Sequence, residues 1–192
     1  MHTLFFAQPY AWYDALNAFF LYSFLGWCME CVVIRREKGA WENRGFVHSP
    51  FCIIYGFGAM LGYVLLKPFS GNYLFLYLAG VVLATTFEYL SARLMLRVFG
   101  ALWWDYSEKP FNYKGILCLE SSIGWGVIAV LLFAVMQRTV LLTVRLIPPR
   151  IALLMSLLLL CGYAFDFALS VRAAYQHRAG ESSAASTVHA ER

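Results

Sequence analysis

Residues 151–171 read IALLMSLLLLCGYAFDFALSV, twenty-one residues with one acid, Asp166, and no base. As a helix they would rise about 31 Å, enough to cross a hydrocarbon layer of about 30 Å. A barrel strand would need only about ten residues of alternating polarity. From Ile151 to Leu160 there is no alternation at all. The stretch is therefore predicted to be a transmembrane helix, and it sets how the remaining chain is read.

Working outward, four more apolar blocks are predicted to span: residues 12–34, 49–66, 73–94 and 116–136. The whole 192-residue chain is 61% hydrophobic, 18% aromatic and only 14% charged, with a mean hydropathy of +0.63. Soluble domains carry about 25% charged residues. The expectation is an all-α, polytopic transmembrane bundle of five spans over residues 1–172. Residues 173–192, with Ser182-Ser183-Ala184-Ala185-Ser186, read as a cytoplasmic disordered tail. Residues 137–150 mix Leu141, Leu142 and Leu146 with Arg138 and Arg145 ahead of Pro148-Pro149, and read as an interfacial segment or a lip of the fourth helix. This composition excludes a water-soluble enzyme, a nucleic-acid-binding module and a secreted disulfide scaffold. The net charge of +4 is not a nucleic-acid footprint, because cytoplasmic loops of polytopic proteins are rich in Lys and Arg.

Those bases set the orientation. Lys67, Arg138, Arg145 and Arg150 fall on one side, and Arg35, Arg36, Lys38, Arg44, Arg93, Arg97, Lys109, Lys114, Arg172, Arg178 and Arg192 on the other. Eleven against four predicts an outside N-terminus and a cytoplasmic C-terminus, in an inner membrane. Residues 1–13 hold no Lys or Arg, so they lack the charged region of a cleavable signal peptide and the first helix is expected to be retained.

The first four spans read as two parallel copies of one two-helix unit. Glu30 is followed by Trp41-Glu42, Asn43-Arg44-Gly45 and Tyr55-Gly56; Glu88 is followed by Trp104-Asp105, Asn112-Tyr113-Lys114-Gly115 and Trp125-Gly126. Gly45 to Gly56 and Gly115 to Gly126 are the same distance, and the second loop carries an insertion.

Four acids lie within or beside spans: Glu30, Glu88, Glu120 and Asp166. Carboxylates in a bilayer are costly, so they face protein or water and mark functional sites. Each has a small residue four positions away: Gly26, Ala84, Gly124 and Gly162. Residues four apart share a helix face, and small residues admit a close neighbour helix, so the acids are expected to point into the bundle. They either pair with Arg44, Arg93 or Arg97 to hold it together or contact a transported species. The loop 101–115 is dense in aromatic residues and carries Pro110 and Gly115, which favour fixed turns; it is either an interfacial anchor or a folded loop that docks a partner or plugs the cytoplasmic mouth. Five scattered cysteines read as small buried hydrophobes, with no metal-ligand spacing. His48 reads as a capping or interface residue, and Pro50 as the first turn of the second span. No P-loop, G-x-S-x-G or H-E-x-x-H is present, so no cofactor or metal is expected and this chain lacks its own ATPase motif.

The same residues carry a resemblance. Phe20 through Trp27 with Glu30, Asn43-Arg44-Gly45-Phe46 leading to Pro50, and Tyr55-Gly56-Phe57-Gly58 resemble the bacterial membrane family described as "putative ABC-transporter type IV". So do Glu88-Tyr89, Trp103-Trp104-Asp105-Tyr106-Ser107, and Pro110-Phe111-Asn112 through Gly115 to Cys118-Leu119. The resemblance covers residues 16–126 and leaves out the last span. Cys52-Ile53-Ile54 lacks a proline usual in the family, and Ile116 stands where an arginine is usual, so Glu88 or Glu120 would need another partner such as Lys114. The resemblance implies a transporter membrane component and brings no catalytic residues.

Three readings follow. The first is an ABC-type permease or transporter component in the lipid bilayer, working as a homo-oligomer or with a separate ATPase subunit. Its pathway would use Glu30, Glu88 and Glu120, with Asp166 as a further intramembrane acid. Asn43, Arg44, Gly45, Trp104, Asp105, Asn112 and Gly115 would shape its cytoplasmic face. The second is a membrane-embedded enzyme acting on a lipid or lipid-linked substrate, with paired acids as general acid and base and interfacial Asp105 and Asn112 in support. The third is a scaffold or sensor.

Overall fold

A computed structural model describes the backbone of residues 11–43 and 45–190, with side chains through residue 176 apart from 37. The protein is an all-α membrane protein, 76% helical. Among the described residues no strand occurs, only one bridge between Tyr113 and Leu117. The helices are α1 (Trp12–Lys38), α2 (Ile53–Leu66, extended by a 3-10 turn Lys67–Phe69), α3 (Tyr73–Val98), α4 (Leu119–Leu131), α5 (Gln137–Arg145) and α6 (Pro149–Ala190). A π turn, Leu132–Met136, joins α4 to α5 without a break.

Helix ends follow local chemistry. Gly39 closes α1 in the left-handed conformation, and its N–H donates to Arg35 O at 3.1 Å. Arg35, Arg36 and Lys38 sit in that last turn, where the helix dipole favours cations. Asn72 caps α3, its side-chain oxygen accepting from Leu74 N–H at 2.9 Å and Phe75 N–H at 3.3 Å. Pro149 opens α6, at the position where a missing N–H costs nothing.

Four helices are long and apolar enough to cross a membrane: Trp12–Arg36, Tyr73–Val98, Leu119–Arg145 and Pro149–Gln176. The expected second span is shorter than predicted, an apolar helical segment Ile53–Phe69. Its start is delayed because the chain before it is pinned in other ways. Cys52 N–H donates to Ser23 O at 3.0 Å, and the N–H groups of His48 and Ser49 donate to Asp166. Pro50 therefore lies outside the helix rather than in its first turn.

Of the two readings of the stretch after residue 136, an interfacial segment or a lip of the fourth helix, the structure shows the second, as a packed continuation of that helix. Val140 and Val144, one turn apart, bury with Leu132 against Ala18 and Tyr22 of α1. Tyr22 Oη donates to Gln137 Oε1 at 2.5 Å in the same place. The last helix also runs further than expected, continuing to Ala190 through the segment read as a tail; its alanines and the absence of proline after Pro149 favour helix.

The helices pair as α1 with α2 and α3 with α4, while α6 and α5 pack on α1. Both pairs approach closely at a glycine. A Cβ on Gly56 would lie 2.5 Å from Ser23 Oγ and 2.8 Å from the Phe19 ring, residues seven and eleven positions before Glu30. A Cβ on Gly126 would lie 2.7 Å from Val81 Cγ2 and 2.5 Å from the Tyr77 ring, residues seven and eleven positions before Glu88. The two pairs thus use the same contact register.

Candidate functional site

Glu30 sits about 12 Å along α1 from Lys38, and Glu88 about 15 Å along α3 from Val98. Both point inward, as their spacing to small residues predicts. The residue before each close-approach glycine reaches the acid of its own pair. Tyr55 Oη donates to Glu30 Oε1, and Trp125 Nε1 donates to Glu88 Oε2 at 3.0 Å. The Tyr55 and Trp125 rings are 5.7 Å apart, so the donors to the two acids meet at one junction between the pairs.

Glu88 is the more enclosed, 5% exposed. Besides Trp125, Tyr106 Oη donates to its Oε1 at 3.2 Å, and Ser121 Oγ, whose one proton is divided between Cys118 O at 3.0 Å and this carboxylate, lies 3.4 Å from its Oε2. A carboxylate surrounded by three neutral donors has its lone pairs satisfied in an apolar setting. These donors, rather than Arg93 or Arg97, are its partners. Gly80 and Ala92 on the same α3 stripe are buried with it.

The other two acids lie elsewhere. Glu120 is in the first turn of α4, exposed, and pairs with Lys109 at 3.1 Å, not with Lys114, whose ammonium lies 5.4 Å from the Tyr113 ring centroid. Asp166 braces the first loop: it accepts from His48 N–H at 3.3 Å, from Ser49 N–H at 2.6 Å, and meets His48 Nδ1 at 2.9 Å. His48 is an interface residue, as its sequence context suggests. Gly124 and Gly162, the small neighbours of Glu120 and Asp166, face open space, so the expectation that all four acids enter the bundle holds for two and fails for Glu120.

The loop between α3 and α4 is folded. Trp104 Nε1 donates to Ile116 O at 2.8 Å, Tyr106 N–H to Gly115 O at 2.9 Å, and Tyr113 N–H to Leu117 O at 2.8 Å. Asp105 Oδ1 accepts from Ser107 Oγ at 2.6 Å and Ser107 N–H at 2.9 Å. The Ser107 hydroxyl, then its N–H, hold the exposed Asp105 carboxyl below the usual range. Asn112 Nδ2 donates to Ser107 O and Lys109 O, and its Oδ1 accepts from Gly115 N–H at 3.2 Å. In the first loop Asn43 does the same work, accepting from Gly45 N–H and Trp27 Nε1, each at 2.9 Å. Arg44 lies outside the described residues.

The loops face each other across an open groove of about 450 Å³, lined by Lys38, Glu42, Asn43, Trp103, Trp104 and Asp105 among others. Phe46 ties them together, 4.7 Å from Trp103, 5.0 Å from Phe99 and 5.4 Å from Phe167 of α6. Gly115 is tightly enclosed in this loop, at φ +68° with a hypothetical Cβ 2.6 Å from Ser107 Oγ and 2.9 Å from Asp105 Oδ1. Gly115→Ala is expected to cost about 1–2 kcal/mol locally and to open the loop to protease at low enzyme concentrations that leave the native chain intact; equal resistance would contradict the geometry.

Sequence reasoning missed the donors. Tyr106 stood out only as one aromatic among many, and Tyr55 and Trp125 only as landmarks of a repeat; for those two, a position beside a glycine that lets helices close was the available signal.

The sequence pattern of one family, described as "Putative ABC-transporter type IV", matches residues 17–171. The match covers more than three quarters of the chain and includes the last span, which the resemblance over residues 16–126 left out. No curated protein and no solved structure gives a significant match.

Proposed function

This chain belongs to the putative ABC-transporter type IV family, and on that premise we propose that it is the membrane component of a transporter, a permease driven by a separate ATPase subunit. The observation that carries this reading is the junction where the two helix pairs meet, at which Tyr55 donates to Glu30 and Trp125 to Glu88, two inward carboxylates. Intramembrane acids lining protein rather than lipid are the usual mark of a substrate or ion path. Glu120 and Asp166 support the loops instead.

The helix pairs are two parallel copies of one unit. What supports this is the matched register of Gly56 and Gly126 and the matched donors Tyr55 and Trp125. The excess of Lys and Arg on one side favours an inner-membrane protein with the N-terminus outside and both long loops and the C-terminus in the cytoplasm. The folded loops then offer the face on which a soluble ATPase docks, and a bundle of this size encloses a pathway only by assembling with further copies. Asp105 and Asn112 are committed to the loop's own turns, which disfavours the lipid-enzyme reading.

The test is affinity purification of the full chain in mild detergent with mass spectrometry of its companions, beside Trp104→Ala and Asp105→Ala. A nucleotide-binding subunit is expected with the native chain and reduced at least tenfold with the variants. A homo-oligomer with no such subunit would sink the ATP-driven reading.

A further inference from the structure

The two loops differ in one respect. The loop glycine lies fifteen positions after the acid in the first copy and twenty-seven in the second. The extra residues include Tyr106, which lies 18 positions after Glu88. Its backbone belongs to the loop, with its N–H donating to Gly115 O and its carbonyl accepting from Lys109 N–H at 2.8 Å. Its hydroxyl belongs to the membrane junction, donating to Glu88 Oε1. One residue away, Asp105 is exposed on the groove between the loops.

We infer that Tyr106 is a positioning residue that ties the shape of the loop at residues 101–117 to the Glu88 carboxylate. This rests on reading the junction as the substrate-facing site and the loops as the partner-facing surface. A group that draws Glu88 away from Tyr106 removes one anchor of the tyrosine and so loosens the Asp105 surface. A partner that shifts the loop moves a donor off Glu88 in return. Reciprocity of this kind is required of any linkage between two sites. The hydrogen bond is the link, and reach rather than charge maintains it. A glutamine at position 88 turns its oxygen to Trp125 and Ser121 and its N–H to the phenol oxygen, keeping contact with Tyr106. An aspartate keeps the acid but falls one methylene short.

Hydrogen exchange of the full chain in detergent, followed at the Tyr106 and Tyr113 amides, tests this. Tyr106→Phe is expected to speed their exchange about tenfold, the worth of one hydrogen bond. Glu88→Asp is expected to do the same, Glu88→Gln to change it less than about twofold, and the double variant Tyr106→Phe with Glu88→Asp to add nothing. Ser121→Ala removes another donor to the same carboxylate and should leave the loop as in the native chain. Protected amides in Glu88→Asp beside open ones in Tyr106→Phe would overturn the inference, as would equal opening by Asp and Gln. The exchange needs no partner protein. Loss of coupling with an ATPase still recovered refutes this inference alone, and coupling without an ATPase refutes the transport reading alone.

Discussion

Gly26→Ala is expected to force α1 and α2 apart and to remove most of the folded protein from a detergent extract. A Cβ at Gly26 would sit 2.2 Å from Tyr55 Cγ and 2.4 Å from Tyr55 Cβ, far inside van der Waals contact. The clash falls on the root of the side chain, so no rotamer change relieves it. Tyr55 is also held at its tip by Glu30 and flanked by the Trp125 ring. Overpacking of this kind costs about 1–3 kcal/mol and sometimes more. Here the helix shift would also break the Glu30 hydrogen bond. Gly124→Ala and Gly162→Ala make the control, since nothing lies within 4 Å of either Cβ and alanine favours helix by up to about 1 kcal/mol. Size-exclusion profiles and thermal midpoints of the three variants decide the matter. A Gly26→Ala protein as monodisperse and heat-resistant as the controls would show that the two helices do not pack as described.

Glu88→Ala is expected to have the second largest effect. It takes the acceptor from the half-buried Tyr106 hydroxyl and Trp125 N–H and from the Ser121 hydroxyl, which keeps Cys118 O, and a donor left without a partner away from water costs about 1–3 kcal/mol. Tryptophan has no alternative role, being a donor only. The hydroxyls can turn, so the total falls short of three full penalties, about 3 kcal/mol or more. Glu88→Gln retains an acceptor for Trp125 and should lose under about 1 kcal/mol. Thermal unfolding in detergent separates the two variants by several degrees. Equal midpoints would mean that the three donors find other partners.

Much of this arrangement was legible in the residues, and the rest failed for identifiable reasons. Uninterrupted apolar runs long enough to span gave the helices, and four-residue spacing placed Glu30 and Glu88 correctly because each lies well inside a long helix between packed neighbours. The same spacing misplaced Glu120. Its helix starts only at Leu119, and a first-turn side chain answers to the preceding loop, where Lys109 stands. The partners of Asp166, the backbone N–H groups of residues 48 and 49 and the His48 ring, lie about 118 positions away, and backbone donors leave no mark on sequence. The shortness of α2 has the same origin. The loop fared better: Asn43 with Gly45 and Asn112 with Gly115 are turn residues whose chemistry acts locally. The donors to Glu88 were visible as residue types but not as neighbours, since only the closeness permitted by Gly126 brings Trp125 to α3.

The order in which the polar bonds close bears on how the chain enters the bilayer during synthesis. Glu30 finds Tyr55 only 25 residues later, within the next helix, and Glu88 finds Tyr106 after 18 and Trp125 after 37. Asp166 emerges when its receiving loop already exists. Each helical hairpin can therefore leave the translocon with its acid already hydrogen-bonded, and no carboxylate has to wait in lipid for a distant helix to arrive.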